Sequence, residues 1–100
     1  MKCLKSLLLL ALTALSLGAL AQEAAIRKNL AERLPKLPSI DEVSKTPMPG
    51  VFEVRINGSD IFYTDAEGNY LIQGTLIDTR ARVNLTEQRL EKLTALAFKD

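Results

Sequence analysis

The middle of the chain alternates short apolar segments with turn sequences, and this pattern constrains the fold more than any other feature. Residues 51–57 alternate hydrophobic with polar side chains, which predicts a strand with one buried face. Further strands are predicted at 61–64 and 70–73, separated from it and from each other by turn sequences at 57–60 and 65–69. Because connections this short join antiparallel neighbours, we predict an antiparallel meander.

The segment before the meander divides into a helix and a connector. Residues 23–34 place Ile26, Leu30 and Leu34 at helical spacing on one stripe, and Pro35 would end that helix. Residues 35–50 hold all four prolines, so we predict an extended connector there and not a helix or a central strand. Two hydrophobic residues within this connector, Ile40 and Val43, are expected to pack on the domain.

A second helix is predicted at residues 85–98. Asn84 or Thr86 could cap its amino end. Its apolar stripe comprises Leu90, Leu93 and Ala97, widened by Leu96. Residues 75–78 either continue the third strand past Gly74 or begin a fourth. The element order predicts an α+β domain in which helices pack on an antiparallel sheet.

The amino terminus has the layout of a secretory signal peptide. Lys2 and Lys5 precede an apolar stretch of residues 7–17, and small residues stand at 19 and 21. The apolar stretch is shorter than the roughly 20 residues that span a bilayer. We therefore predict cleavage between Ala21 and Gln22, with no stable membrane anchor afterwards.

Composition excludes several kinds of chemistry. The chain has 100 residues, one cysteine and no histidine, so it can form neither a histidine-ligated metal site nor a Ser-His-Asp or Cys-His catalytic unit. Its formal net charge of +1 offers no electrostatic footprint for nucleic acid. Cys3 precedes the predicted cleavage point, so the exported chain would hold no thiol. We expect no catalytic residue, no metal and no cofactor in this chain.

Several charged and aromatic residues could serve either a binding site or the fold alone. Carboxylates at turns could hold calcium, although turn formation explains them better. The two arginines that flank Ala81 in a predicted loop could contact an anion or be solvated. Both tyrosines could lie on a binding surface, whereas two of the phenylalanines are expected in the core. These residues are Asp60, Asp65 and Glu67; Arg80 and Arg82; Tyr63 and Tyr70; and Phe52 and Phe62.

The apolar run at 70–72, renewed at 76–77, does not alternate. Such a strand is either buried on both faces within one chain or paired with a partner, because an exposed apolar edge strand invites aggregation. Pairing with a second copy across a two-fold axis would cover it, and Gly74 would allow close backbone approach. The predicted dimer contact comprises Tyr70, Leu71, Ile72, Gln73, Gly74 and Thr75.

These motifs, in order, resemble a known family. The sequence at 65–74 is Asp-Ala-Glu-Gly-Asn-Tyr-Leu-Ile-Gln-Gly; Thr-Pro-Met-Pro-Gly-Val-Phe-Glu-Val stands at 46–54, Leu-Ile-Asp at 76–78 and Asn-Leu-Thr-Glu at 84–87. From about residue 25 to 96 the chain is similar to the N-terminal domain of bacterial periplasmic thiol:disulfide interchange proteins of the DsbC/DsbG type.

This resemblance implies a cystatin-like α+β dimerisation domain at residues 22–84, after a signal peptide at 1–21. It also implies that residues 85–100 begin a linker helix leading to a thioredoxin-like domain with a Cys-x-x-Cys motif, which this sequence does not contain. The expected partners are a second copy and misfolded or mis-oxidised secreted proteins in the periplasm. Three alternatives stay open: the sequence is a piece of a complete redox isomerase, it is a truncated relative of this family, or it is a free-standing secreted cystatin-like binding protein.

Overall fold

A helix, α1, covers residues 20–33 of the computed structural model, which describes residue 18 and residues 20–97. Ile26 and Leu30 on its inner face are buried, and the amide of Leu34 closes its last turn on the Leu30 carbonyl at 2.9 Å. Leu34 itself is exposed, so the predicted apolar stripe ends one turn early. Ala21 and Gln22 are exposed residues of α1, while most of the predicted signal peptide lies outside the described residues.

Four antiparallel strands form the main sheet in the order β1-β2-β3-β4, which confirms the predicted meander. They are β1 (Ile40–Lys45), β2 (Phe52–Ile56), β3 (Asp60–Thr64) and β4 (Leu71–Ile72). Three residues, 57–59, connect β2 to β3, and φ is positive at Asn57 (53°) and Gly58 (84°), a left-handed conformation that Asn and Gly adopt more readily than other residues.

The prediction of a connector at 35–50 was wrong in its middle, because β1 forms there and pairs with β2. The prolines flank this strand instead of interrupting it, and an edge strand needs hydrogen bonds on one side only. Ile40 and Val43 pack against the core as expected. A register irregularity between Ile40 and Glu42 bends the strand.

The residues after Gly74 do not extend the meander. β5 (Ile77–Asp78) pairs with β6 (Val83–Asn84) in a separate two-stranded sheet, so a fourth element begins there. The second helix, α2 (Leu85–Ala97), follows directly, and Asn84 caps it by accepting a hydrogen bond from the Glu87 amide at 2.9 Å. The predicted end at Phe98 and the side chain of Ala97 lie outside the described residues.

The core lies between α1 and one face of the sheet, which confirms the α+β class. It consists of Ile26, Leu30, Phe52, Val54 and Ile56, with Phe62 and Leu71 among the half-buried residues against it. Tyr63 is also buried, so of the two tyrosines that could lie on a binding surface only Tyr70 is exposed. No helix within residues 20–97 is long and apolar enough to cross a membrane.

Candidate functional site at the edge of the sheet

The predicted contact segment, residues 70–75, contains β4, which is one of the two edge strands of the main sheet. β4 pairs with β3 through Ile72 opposite Tyr63 and Leu71 opposite Thr64, and no described strand pairs with its other side. Leu71 packs toward the core, whereas Tyr70 is 74% exposed and Ile72 51% exposed. The structure therefore presents apolar side chains beside an open row of backbone donors and acceptors.

The start of this segment is held by polar contacts from the preceding turn. The Asp65 Oδ1 atom accepts hydrogen bonds from the amides of Asn69 (2.7 Å) and Tyr70 (3.0 Å). The hydroxyl of Thr64, which is completely buried, donates to the Tyr70 carbonyl at 2.7 Å. Asp65 therefore serves the turn, as the turn interpretation expected, and residues 20–97 hold no acidic or thiol cluster suited to a metal ion.

The same turn is tied to α1. Asn29 donates its side-chain amide to the Glu67 carbonyl at 2.7 Å, and Arg33 Nη1 donates to Asn69 Oδ1 at 2.8 Å. Gly68, between them, has φ of +70° and lies directly against the helix backbone. The position of residue 70 is thus set by contacts between α1 and the turn.

The end of the segment is held as well. The amide of Leu76 donates to the Thr86 hydroxyl at 2.9 Å, and the Leu76 carbonyl accepts from the Leu85 amide at 2.9 Å. Between these anchors Gln73, Gly74 and Thr75 are exposed. A Cβ built on Gly74 would meet no heavy atom within 4 Å, so this stretch of backbone is open to close approach.

The opposite edge of the sheet is protected. β1 carries the register irregularity, exposes the charged residues Asp41 and Lys45, and is flanked by Pro38 and Pro47. Irregular pairing, edge charges and prolines are the means by which natural sheets prevent edge-to-edge association. The edge at β4 has none of these three features: residues 70–75 contain no charged residue and no proline, and the pairing of β4 with β3 is regular.

The electrostatics of the Asp65 turn follow from its contacts. Partial burial opposes ionisation, but hydrogen bonds from backbone amides, those of Tyr70 and Asn69 foremost, together outweigh it and hold the pKa of Asp65 below its usual value. A lowered pKa in the folded state means that this stabilisation is complete above the unfolded pKa of about 3.9 and is lost as pH falls through the folded pKa.

We expect Asp65→Ala to free the start of the segment. Losing two hydrogen bonds to a carboxylate should lower local stability by about 1–3 kcal/mol, seen as faster amide exchange at Asn69 and Tyr70 at pH 6. Asp60→Ala, which removes another exposed carboxylate of the same hairpin, is the control. Equal exchange in both variants would contradict the anchoring role.

Arg80 and Arg82 lie exposed in the turn between β5 and β6. The carboxylate of Asp78 closes this turn by accepting hydrogen bonds from the amides of Arg80 (3.1 Å) and Ala81 (3.0 Å). Asp78 therefore accounts for the shape of the turn, and the exposure of the two arginines agrees with the interpretation that they are solvated.

Comparison with known proteins agrees with the resemblance seen in the sequence. A family model described as the disulfide bond isomerase protein N-terminal domain matches residues 18–87. A probable thiol:disulfide interchange protein DsbC from Bordetella avium is 41% identical over 76 residues, which are 76% of this chain and 26% of that protein. Its counterparts from Bordetella pertussis (35% over 79 residues; 79% and 27%) and Bordetella parapertussis (36% over 77 residues; 77% and 26%) are also similar.

The chain spans about a quarter of the length of these curated relatives. The matched region includes both helix-to-turn contacts and the whole segment 70–75. The chain therefore belongs to the family of disulfide bond isomerase protein N-terminal domains.

Proposed function

We propose that this domain joins two copies of an exported thiol:disulfide interchange protein through the segment 70–75. The observation that carries the proposal is the unpaired edge at β4, which is anchored at both ends and open between them. An edge that is held in place loses less conformational entropy on association than a free segment.

The proposed contact is antiparallel pairing of two β4 edges about a two-fold axis. Each copy would supply the same backbone groups, as an isologous interface requires. The exposed side chains of Tyr70 and Ile72 would be covered, and Gly74 would let the two backbones approach closely. Family membership supports this proposal, since the family includes N-terminal domains of disulfide bond isomerases.

Thiol chemistry, in this proposal, belongs to a part of the protein outside these 100 residues. Disulfide exchange needs a thiolate, and the only cysteine here is Cys3, within the predicted signal peptide. We propose that residues 1–21 direct export to the periplasm, residues 22–84 dimerise, and residues 85–100 begin a linker to a thioredoxin-like domain. The proposed clients are misfolded or mis-oxidised secreted proteins.

Gly74→Arg tests the dimer contact. The substitution meets open space within one chain and no positive φ, so the fold should be retained. A long charged side chain cannot fit between two closely paired backbones. We expect sedimentation velocity at micromolar concentration to show a dimer for the parent chain and a monomer for the variant.

Ser59→Arg is the matched control, because it adds the same side chain at an exposed turn at the other end of β3. It should remain dimeric. A dimeric Gly74→Arg variant would contradict the proposed contact, and a monomeric parent chain would favour the free-standing binding protein instead.

A further inference from the structure

The second helix is attached to the main sheet differently from the first. Among residues 85–96, the only buried one is Thr86, which is polar, and none belongs to the apolar core. Leu90 and Leu93 are half-buried, and Leu96 is 62% exposed. The apolar core between α1 and the sheet therefore does not account for the orientation of α2.

Polar contacts from the first turns of α2 reach the sheet instead. Thr86 shares a hydrogen bond with the hydroxyl of Tyr63 in β3. Arg89 stands three residues further on, on the same side of the helix. Its Nε donates to Glu53 Oε2 in β2 at 3.1 Å, and its Nη2 donates to Glu42 Oε1 in β1.

The guanidinium of Arg89 thus joins α2 to two neighbouring strands. We call Glu42, Glu53 and Arg89 the charge clamp. Its members lie on the face of the sheet away from the α1 core, since Glu53 alternates with Phe52 and Val54. A planar, forked donor that binds two carboxylates restricts direction as well as distance.

The sheet side of the clamp is itself held in place. Glu53 lies in a central strand and is only 8% exposed, so its carboxylate needs a partner. Glu42 also accepts a hydrogen bond from Arg55 Nε at 3.4 Å, and Arg55 Nη1 lies 3.7 Å from Asp41 Oδ2. Glu42, one of the two acceptors of Arg89, is therefore also held by an arginine of the sheet.

We propose that the charge clamp sets the direction in which α2 leaves the sheet, with Arg89 as the positioning residue. Without it, α2 would keep its hydrogen bonds at Leu85 and Thr86 but pivot about them. The charge clamp acts within one chain, so its effect on α2 does not depend on whether two chains pair at β4.

Electron spin resonance between two nitroxide labels tests the clamp. The labels are attached at Ser59→Cys, in the β2–β3 turn, and Ala95→Cys, near the end of α2, both exposed positions. The full chain carries Cys3→Ser, and labelled chains are diluted with unlabelled ones so that only distances within one chain are recorded. We expect one narrow distance distribution for this parent.

Glu42→Gln combined with Glu53→Gln removes the charges that hold Arg89 without leaving a buried carboxylate unpaired. We expect it, and Arg89→Gln, to broaden the distribution or shift its mean. Lys92→Ala is the matched control: it removes one positive charge from an exposed residue less than one turn after Arg89 on the same helix and should leave the distribution narrow.

An unchanged narrow distribution in both clamp variants, with parental far-ultraviolet circular dichroism, would overturn the proposal. If the variants fail to fold, the parent chain in about 1 M NaCl decides, because the screening length there falls to about 3 Å. Arg89 is 26% exposed at its side chain, so ions can reach it. Broadening with salt supports the clamp, and a distribution that salt does not change rejects it.

Discussion

Replacing Gly68 with valine is expected to lower the free energy of unfolding by about 2–5 kcal/mol. A left-handed backbone costs a residue with a side chain about 1–2 kcal/mol, and overpacking costs about 1–3 kcal/mol more. Both apply here, because Gly68 has φ of +70° and a Cβ would lie 3.3 Å from both the Cα and the carbonyl oxygen of Ile26. These two atoms belong to the helix backbone, so a change of side-chain rotamer cannot relieve the close contact.

Gly58→Val separates the two contributions. Gly58 has φ of +84°, but a Cβ there would meet no heavy atom within 4 Å. It should therefore show the backbone cost alone. Urea unfolding followed by circular dichroism measures both variants, and the difference between them reports the contact between α1 and the 65–69 turn. Equal losses would contradict that contact.

Local pattern was enough to predict the central hairpin. Alternation identified β2 and its buried face, and the Asn-Gly pair identified the turn that follows. The alternation and the Asn-Gly pair both involve residues close in sequence. They can therefore be recognised without knowledge of the rest of the fold. The cap at Asn84 was predicted for the same reason, although Thr86 competed with it.

Elements that depend on distant partners were predicted less well. β1 has no clear alternation, since a register irregularity separates Ile40 from Glu42, and nearby prolines favoured a connector. Its hydrogen bonds come from β2, which the sequence of β1 does not reveal. Alternation placed Glu53 on the face away from Phe52 and Val54, but contacts with Arg89 of α2 leave it buried there.

The burial of Tyr63 has a measurable effect. Burial is the main cause that raises the pKa of its hydroxyl, although the hydrogen bond with Thr86 opposes it. The sequence could not indicate this, because Thr86 lies 23 residues further along the chain.

The candidate site depends partly on local sequence pattern and partly on contacts with residues distant in the sequence. Its apolar residues at 70–72 were visible in the sequence, yet the continuous run to residue 78 that the pattern allowed is divided, because the peptide groups of Leu76 bond to Leu85 and Thr86. The anchors Thr64, Arg33 and Thr86 were not predicted, since a polar residue carries no periodic signal that names its partner. The only local sequence signal for an anchor of this segment is the Asp-x-x-Gly turn before the apolar strand, and it indicates Asp65 alone.

Truncation of Ile56 to alanine is expected to lower the free energy of unfolding by about 2–5 kcal/mol, the usual range for removing a buried isoleucine side chain. Ile56 is 1% exposed and belongs to the core between α1 and the sheet. Because a small domain has a total stability of about 5 kcal/mol, this one change should populate the unfolded state in dilute urea.

Ile77→Ala removes the same atoms from a strand residue that is 56% exposed, so its loss should stay within about 0.5 kcal/mol. Both variants are best compared in the Gly74→Arg background, because pairing of folded chains would add stability that depends on concentration. If the core and the β4 edge act independently, the Ile56→Ala loss should be the same with and without Gly74→Arg once chain concentration is accounted for. A larger loss in the monomeric background would mean instead that pairing at β4 tightens the packing of α1 on the sheet.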